Sequence, residues 1–169
     1  MTAGHAAEVR LIGPRQMRNA LGRFTTGVTI VTCCDAQGGF VGLTANSFNS
    51  LSLDPPLVLW SLREASPNLG AFVAASAFAV NVLAEAQVDL ARRFASLTED
   101  RFADGVWALG EQGAPVLAGC AAVFECQTVS HQVAGDHRLF IGRVLACAES
   151  LVPALVFQAG HYRLLGEVL

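Results

Sequence analysis

The sequence predicts a mainly β fold, an antiparallel barrel carrying short helices, and three observations predict it. Apolar residues recur in short, β-branched runs bounded by turn residues, giving about six or seven strands against three short helices. Consecutive runs are joined as hairpins rather than by the regular strand and helix alternation that builds a parallel sheet. No GxGxxG follows the first strand, and neither GxxxxGK[ST] nor an internal repeat is present, which excludes a doubly wound nucleotide fold.

Residues 1–13 read as a flexible N-terminus and residues 14–169 as a single domain, the size at which one core suffices. Pro14 to Phe24 forms a helix with Pro in its first turn and Met17, Leu21 and Phe24 at helical spacing. VTIVTCC and FVGLTANSF then pair through the turn DAQGG. Asp54, Pro55 and Pro56 break the chain before LVLWSL, whose unbroken apolar run predicts a strand buried on both faces. Ser66 and Pro67 start a second helix, with Leu69, Phe72 and Val73 as its apolar face. FAVNVL is a strand, and EAQVDLARRFA is a helix with Val88, Ala91 and Ala95 near one face and Phe94 beside it. Ser96 to Gly119 reads as an irregular surface connection anchored by Phe102, Trp107 and Val116. Ala121 to Val133 and Leu139 to Glu149 are long strands around the turn AGDHR, and LVFQAGHYRLL supplies one or two short strands.

Composition narrows the function classes. Hydrophobic residues make up 53% of the chain, more apolar surface than a monomer of this size buries, so part of it is expected to meet another subunit. A net charge of -3 with 11 Lys and Arg gives no electrostatic footprint for nucleic acid. The stretch MTAGHAAEVR has no apolar signal core and no run is long enough to span a membrane, so the expected location is the cytoplasm. Cys33, Cys34, Cys120, Cys126 and Cys147 are odd in number and lack CxxC spacing, which predicts reduced thiols and no metal site.

The segment GLTANSFNSLS, Gly42 to Ser52, holds the polar residues that chemistry needs at a strand end. A flavin requires backbone donors and acceptors for its pyrimidine edge, small polar side chains for ribityl and phosphate, and apolar cover for its dimethylbenzene ring. Thr44, Ala45, Asn46 and Ser47 supply that mixture; taken alone, they also fit a strand running into a turn. A hydrolytic triad is disfavoured, because Asp136 and His137 are adjacent and no GxSxG is present.

The accompanying series decides between those readings: GRFTTGVTIVT, GLTANSFNSLSLDPPLVLWSL followed by SPN, FAVNVL, RRFA, APVLAG, AGDHRLFIGRV and AGHY. From about Met17 to Tyr162 the chain resembles the short-chain flavin reductases of the FMN-binding split-barrel superfamily, whose members commonly supply reduced flavin to a separate monooxygenase. TANSF with SLDPPLVL, and GDH followed by FIG, carry the resemblance most specifically. It implies a Greek-key-like antiparallel split barrel and a homodimer with flavin near the subunit interface.

Residue by residue, the resemblance implies flavin contacts at Thr29, Thr44, Ala45, Asn46, Ser47 and Phe48, and ribityl or phosphate contacts at Ser50 and Ser52. It adds Ser61, Leu62, Ser66 and Asn68, the last two at a helix start that suits an anion. Arg63 either pairs with phosphate or is solvated, and Phe94 either covers flavin or packs in the core. Gly135, Asp136 and His137 are placed in the nicotinamide region, with His161 and Tyr162 nearby. Trp60, Pro67 and His161 depart from the family pattern, and Trp60 reads equally as a cover for the flavin edge or as core.

The implied activity is NAD(P)H-dependent reduction of FMN or FAD, with NADH or NADPH as co-substrate and reduced flavin passed to a flavin-dependent monooxygenase. Hydride transfer between stacked cofactor rings demands no protein acid or base, so no catalytic residue is expected. The alternatives are a flavin-binding electron carrier of the same fold, and an unrelated β-barrel interaction module.

Overall fold

A computed structural model describes residues 12–96 and 100–168, so the flexible reading of residues 1–11 falls outside the described residues. Gly13 in extended conformation followed by Pro14 opens helix α1, Pro14–Leu21, none of whose residues is buried. Strand β1 is Thr26–Gly27, β2 is Thr29–Cys34 and β3 is Phe40–Ala45. The β2–β3 turn is fixed by the Asp35 carboxylate, which accepts the backbone N–H of Gln37 at 2.9 Å and of Gly39 at 2.7 Å. Strands β4, Asn49–Leu53, and β5, Pro56–Arg63, form the next hairpin, and α2, Leu69–Ala74, leads to β6, Ala77–Val82. A 3-10 turn over Glu85–Gln87 feeds α3, Val88–Ala95. Strands β7, Trp107–Leu109, and β8, Pro115–Leu117, precede the long hairpin of β9, Ala122–Ala134, and β10, His137–Glu149. The chain closes with β11, Val156–Gln158, and β12, His161–Arg163.

Seven strands form one antiparallel sheet in the order β3-β2-β6-β9-β10-β5-β4. Its two edge strands, β3 and β4, are separated in sequence by only Asn46–Phe48, so the sheet must curl until its edges face one another. The closure uses side-chain bonds: the Ser47 hydroxyl donates to the Ser61 carbonyl at 3.0 Å and accepts the Ser61 N–H at 3.0 Å. The result is the predicted mainly β barrel, joined at this seam by a serine where a continuous barrel would have a ladder.

Strand β2 divides the core by the two-residue period of a strand. Val31 and Cys33 point to one cluster with Val58, Trp60, Phe72, Phe78, Val80, Cys126 and Phe140. Val28 and Ile30 point to a second cluster with Leu83, Ala91, Phe94, Leu117 and Leu155. Trp60 is core: it is fully buried, stacked on Phe140 at 4.7 Å and edge-on to Phe72 and Phe78. Burial pushes the thiols of Cys33, Cys120 and Cys126 up to about 12, and Cys147 is exposed.

Several elements differ from the sequence expectation. The strand buried on both faces is β2, covered by the barrel interior and by α3; β5 alternates, with Val58, Trp60 and Leu62 buried and Leu57, Leu59 and Ser61 only half-buried. In α3 the buried pair is Ala91 and Phe94, spaced by three residues on the inward face, and Ala95 is exposed. The connection after α3 contains the β7–β8 hairpin, pinned by the buried Asn81 side chain, whose carbonyl accepts the Leu117 N–H at 2.8 Å. Residues 97–99 of that connection lie outside the described residues. The SxS stretch is strand β4, with a bulge between Ser50 and Ser52.

Gly142 sits inside β10 where a Cβ would meet Phe78 Cε1 at 2.8 Å and Cys126 Cβ at 3.0 Å. Gly142→Ala is therefore expected to overpack the core and lower unfolding free energy by about 1–3 kcal/mol. Urea denaturation of the purified variant checks this.

Candidate functional site

Where the strand ends β3 and β5 meet, they leave a cleft of about 550 Å3, within the range of small-molecule sites. One wall is Leu43 to Ser47, the opposite wall is Ser61 to Arg63, and the start of α2 with Ser66, Pro67 and Asn68 forms one end. Phe94, Ala95 and Ser96 from the end of α3, Arg101 and His137 complete it. Eleven of the residues singled out in the sequence thus come together here: Thr44, Ala45, Asn46, Ser47, Ser61, Leu62, Arg63, Ser66, Asn68, Phe94 and His137.

Many polar side chains in and under the cleft are already committed to the scaffold. Thr29 is buried beneath the wall and donates to the Ala45 carbonyl at 2.8 Å. Thr44 donates to the Ala91 carbonyl at 2.7 Å, fastening β3 to α3. Ser47 is the seam already described, and Ser66 Oγ accepts the Asn68 N–H at 3.3 Å. Asn68 Nδ2 donates to the Gly42 carbonyl at 3.4 Å. Asn46, Ser61 and Arg63 make no side-chain hydrogen bond to another described residue.

Arg101 was not singled out in the sequence, although it lines the cleft. It donates from Nη1 to the Gly42 carbonyl at 3.0 Å, and its buried Nε has no partner among the described residues. The only sequence signal was a cation beside the anchor Phe102 inside a polar connection. Ala65, Ser96 and Leu43 were likewise missed, since small and apolar residues at strand and helix ends carry no motif of their own.

The other predicted residues lie elsewhere. Phe48 packs on Phe124 at 5.5 Å against the first core cluster, and Ser50 and Ser52 are on β4 away from the cleft. Gly135 and Asp136 form the two-residue turn between β9 and β10, with Gly135 at φ +64, and of this turn region only His137 reaches the cleft. Tyr162 lines a smaller cavity of about 160 Å3 that shares Thr44, Asn46 and Ala95 with the main cleft. Burial raises the Tyr162 phenol, and Arg92 over its ring, 5.8 Å from the centroid, acts against that rise. His161 is exposed, its Nδ1 2.9 Å from the Ala159 carbonyl.

His137 is held from two sides. Its Nδ1 lies 2.7 Å from Asp136 Oδ1, and this hydrogen bond holds the Asp136 carboxyl below the usual carboxylate range. Behind it, Arg138 grips Glu64 with Nε at 2.8 Å and Nη2 at 3.3 Å, and the Glu64 N–H donates to the Asp136 carbonyl at 2.9 Å. The hairpin tip is thereby locked to the end of β5. Among the described residues, the cleft lining includes Arg63, Arg101 and His137 and no Asp or Glu, although the whole chain carries a net charge of -3. The arrangement suits an extended ligand with an anionic end.

Comparison with known proteins is consistent with this geometry. The chain is 46% identical over 159 residues to a probable flavin reductase of Rhizobium meliloti, covering 92% of this chain and 51% of that protein. It is also 46% identical over 149 residues to the reductase component of a flavin-dependent trigonelline monooxygenase of Acinetobacter baylyi, covering 88% of this chain and 47% of that protein. The chain thus spans about half the length of these two relatives. The structure of the NADH:FAD oxidoreductase SgcE6 of Streptomyces globisporus in complex with NAD and FAD fragments superposes with a TM-score of 0.86 at 37% identity, covering 94% of this chain and 98% of that one. A family model described as flavin reductase like domain matches residues 21–166, and with the split barrel and its seam cleft already in place, the chain belongs to the flavin reductase-like domain family.

Proposed function

We propose that this protein is an NAD(P)H-dependent flavin reductase that reduces FMN or FAD and passes the reduced flavin to a partner flavin-dependent monooxygenase. The observation that carries the reading is the seam cleft, which is lined by two arginines and a histidine and by no carboxylate. The residues fit a flavin: the buried Arg101 Nε is an unused donor for an anionic group, Asn46 and Ser61 offer uncommitted polar side chains, and Phe94 offers an apolar wall. The relative named as a monooxygenase reductase component supports the choice of partner.

When bound, the flavin and nicotinamide rings supply the hydride chemistry between themselves. The chain's part is to bind, orient and exclude water. Asn46 and Ser61, both lining the cleft, set the position of a ligand's polar edge. Arg63 and Arg101 attract and hold phosphate. His137, braced by Asp136 and by the Glu64–Arg138 pair, positions the nicotinamide at the cleft mouth. Thr44, Ser47 and Asn68 keep the walls rigid, so orientation is built into the fold before ligand arrives.

The homodimer belongs to the same proposal. Met17 and Leu21 on α1, Phe24 just after it, and Val129, Val133 and Leu145 on the long hairpin, are exposed apolar side chains that a second copy would cover. Sedimentation at micromolar concentration is expected to give twice the chain mass, and a monomer there would remove this part of the proposal. No helix among the described residues is long and apolar enough to cross a membrane; a cytoplasmic location is part of this reading.

Steady-state oxidation of NADH and NADPH with added FMN or FAD tests the activity, and absence of turnover with both nicotinamides would sink it. Flavin that stays with the protein through gel filtration would favour the electron-carrier reading instead. Asn46→Ala is expected to weaken flavin binding by about tenfold, the loss of one good hydrogen bond in a bound site. His137→Ala is expected to raise the nicotinamide KM by a similar factor while flavin affinity, read by fluorescence quenching, stays within about twofold.

A further inference from the structure

A second cavity of about 290 Å3 opens beside the seam cleft and shares Asn68 and Arg101 with it. Both of these side chains donate to one acceptor, the Gly42 carbonyl, so a polar neck fixed on the backbone of β3 lies where the two cavities adjoin. The neck cannot be filled from Gly42 itself, because a Cβ there would lie 2.9 Å from Phe94 Cε1 and 3.1 Å from Phe102 Cζ.

On β3, Phe40, Gly42 and Thr44 share a face by the two-residue period. Phe40 sits edge-on to Phe102 at 5.5 Å, and Phe102 sits edge-on to Phe94 at 4.9 Å. A row of rings therefore runs from the wall of the main cleft into the second cavity and ends in Phe40. That ring is 40% exposed on an edge strand, although its neighbours along the row are buried or half-buried. Asp100 is the carboxylate lining this cavity.

We propose that the second cavity is an adenylate subsite, with the base stacked on Phe40, and that the flavin preferred by this protein is therefore FAD. The inference rests on the flavin reading of the main cleft given above. The parts match a dinucleotide in order. The main cleft takes the ring and ribityl chain. Arg101 at the neck, a cation with a buried N–H lacking a partner, meets the pyrophosphate. Phe40 gives the purine a π-face, and Asp100 accepts from ribose hydroxyls or from the adenine amino group. FMN ends at the neck and leaves the stacking platform unused.

A nicotinamide coenzyme carries the same adenylate chemistry, so binding is measured without nicotinamide. Flavin fluorescence titrations of wild type, Phe40→Leu and Phe40→Tyr, each checked for folding by thermal melt, give dissociation constants for FAD and FMN. Wild type is expected to bind FAD about tenfold more tightly than FMN, the scale of one base stacked on an aromatic ring. Phe40→Leu should abolish most of that preference with FMN affinity unchanged within about twofold, and Phe40→Tyr should keep it. On wild type, adenosine, which carries no phosphate for Arg101, should compete with FAD and leave FMN binding untouched, a readout that needs no variant. Equal affinities in wild type, or a parallel fall for both flavins in Phe40→Leu, overturns the inference. A raised NADH KM in Phe40→Leu with an unaltered FAD to FMN ratio overturns it too, by assigning the subsite to the nicotinamide coenzyme. Binding of neither flavin to wild type removes the flavin reading itself, an outcome distinct from equal binding of both.

Discussion

The Ser47 hydroxyl is the smallest part of this fold and the one on which the site depends. It donates to the Ser61 carbonyl and accepts the Ser61 N–H, and so joins the end of the edge strand β3 to β5 across the open seam of the barrel. A full ladder there would close the seam and leave no cleft. No bond at all would let the edges drift apart. A single side chain using both its donor and its acceptor ties the two walls together at one end of the cleft.

The same division of labour extends through the site. Thr29, Thr44, Ser66 and Asn68 carry polar groups that look like ligand contacts, yet each has a scaffold partner. Ordered water would otherwise be needed to satisfy them, and the walls would be softer. The groups left for ligand are few: Asn46, Ser61, Arg63, Arg101 and the histidine at the hairpin tip. A sparse set on rigid supports suits the proposed reaction, in which the cofactors carry the chemistry and the protein aligns their rings.

Much of this was legible in the sequence. Hairpin punctuation gave the mainly β class and most strand positions, and the motifs around TANSF and GDH brought together the residues of the two main walls. What stayed hidden has physical causes. Strand β4 is short and mostly serine and asparagine, and the strands of the β7–β8 hairpin have three residues each, too few for periodicity to show; that hairpin is placed by tertiary bonds such as the one from Asn81. LVLWSL looked doubly buried because Leu57 and Leu59 are apolar, but the single chain covers only the inward face. Ser50 and Ser52 looked like cleft residues because they follow TANSF, yet the chain reverses after Phe48 and carries them along the other edge. Arg101 could not be read at all, since its role comes from a fold-back that sets residue 101 against residue 42.

That fold-back bears on how the protein comes to be competent. The cleft is assembled from segments between residue 43 and residue 137, and the strands that wall it, β3 and β5, are linked through the sheet only by way of β2, β6, β9 and β10. Ligand affinity is then a property of the completed sheet, half of whose strand pairings are non-local. Any ligand that fills the cleft stabilises the whole fold by mass action rather than one loop of it. Occupancy and integrity of the barrel become two readings of one equilibrium, so the nascent chain stays indifferent to its ligand until the last edge has come round.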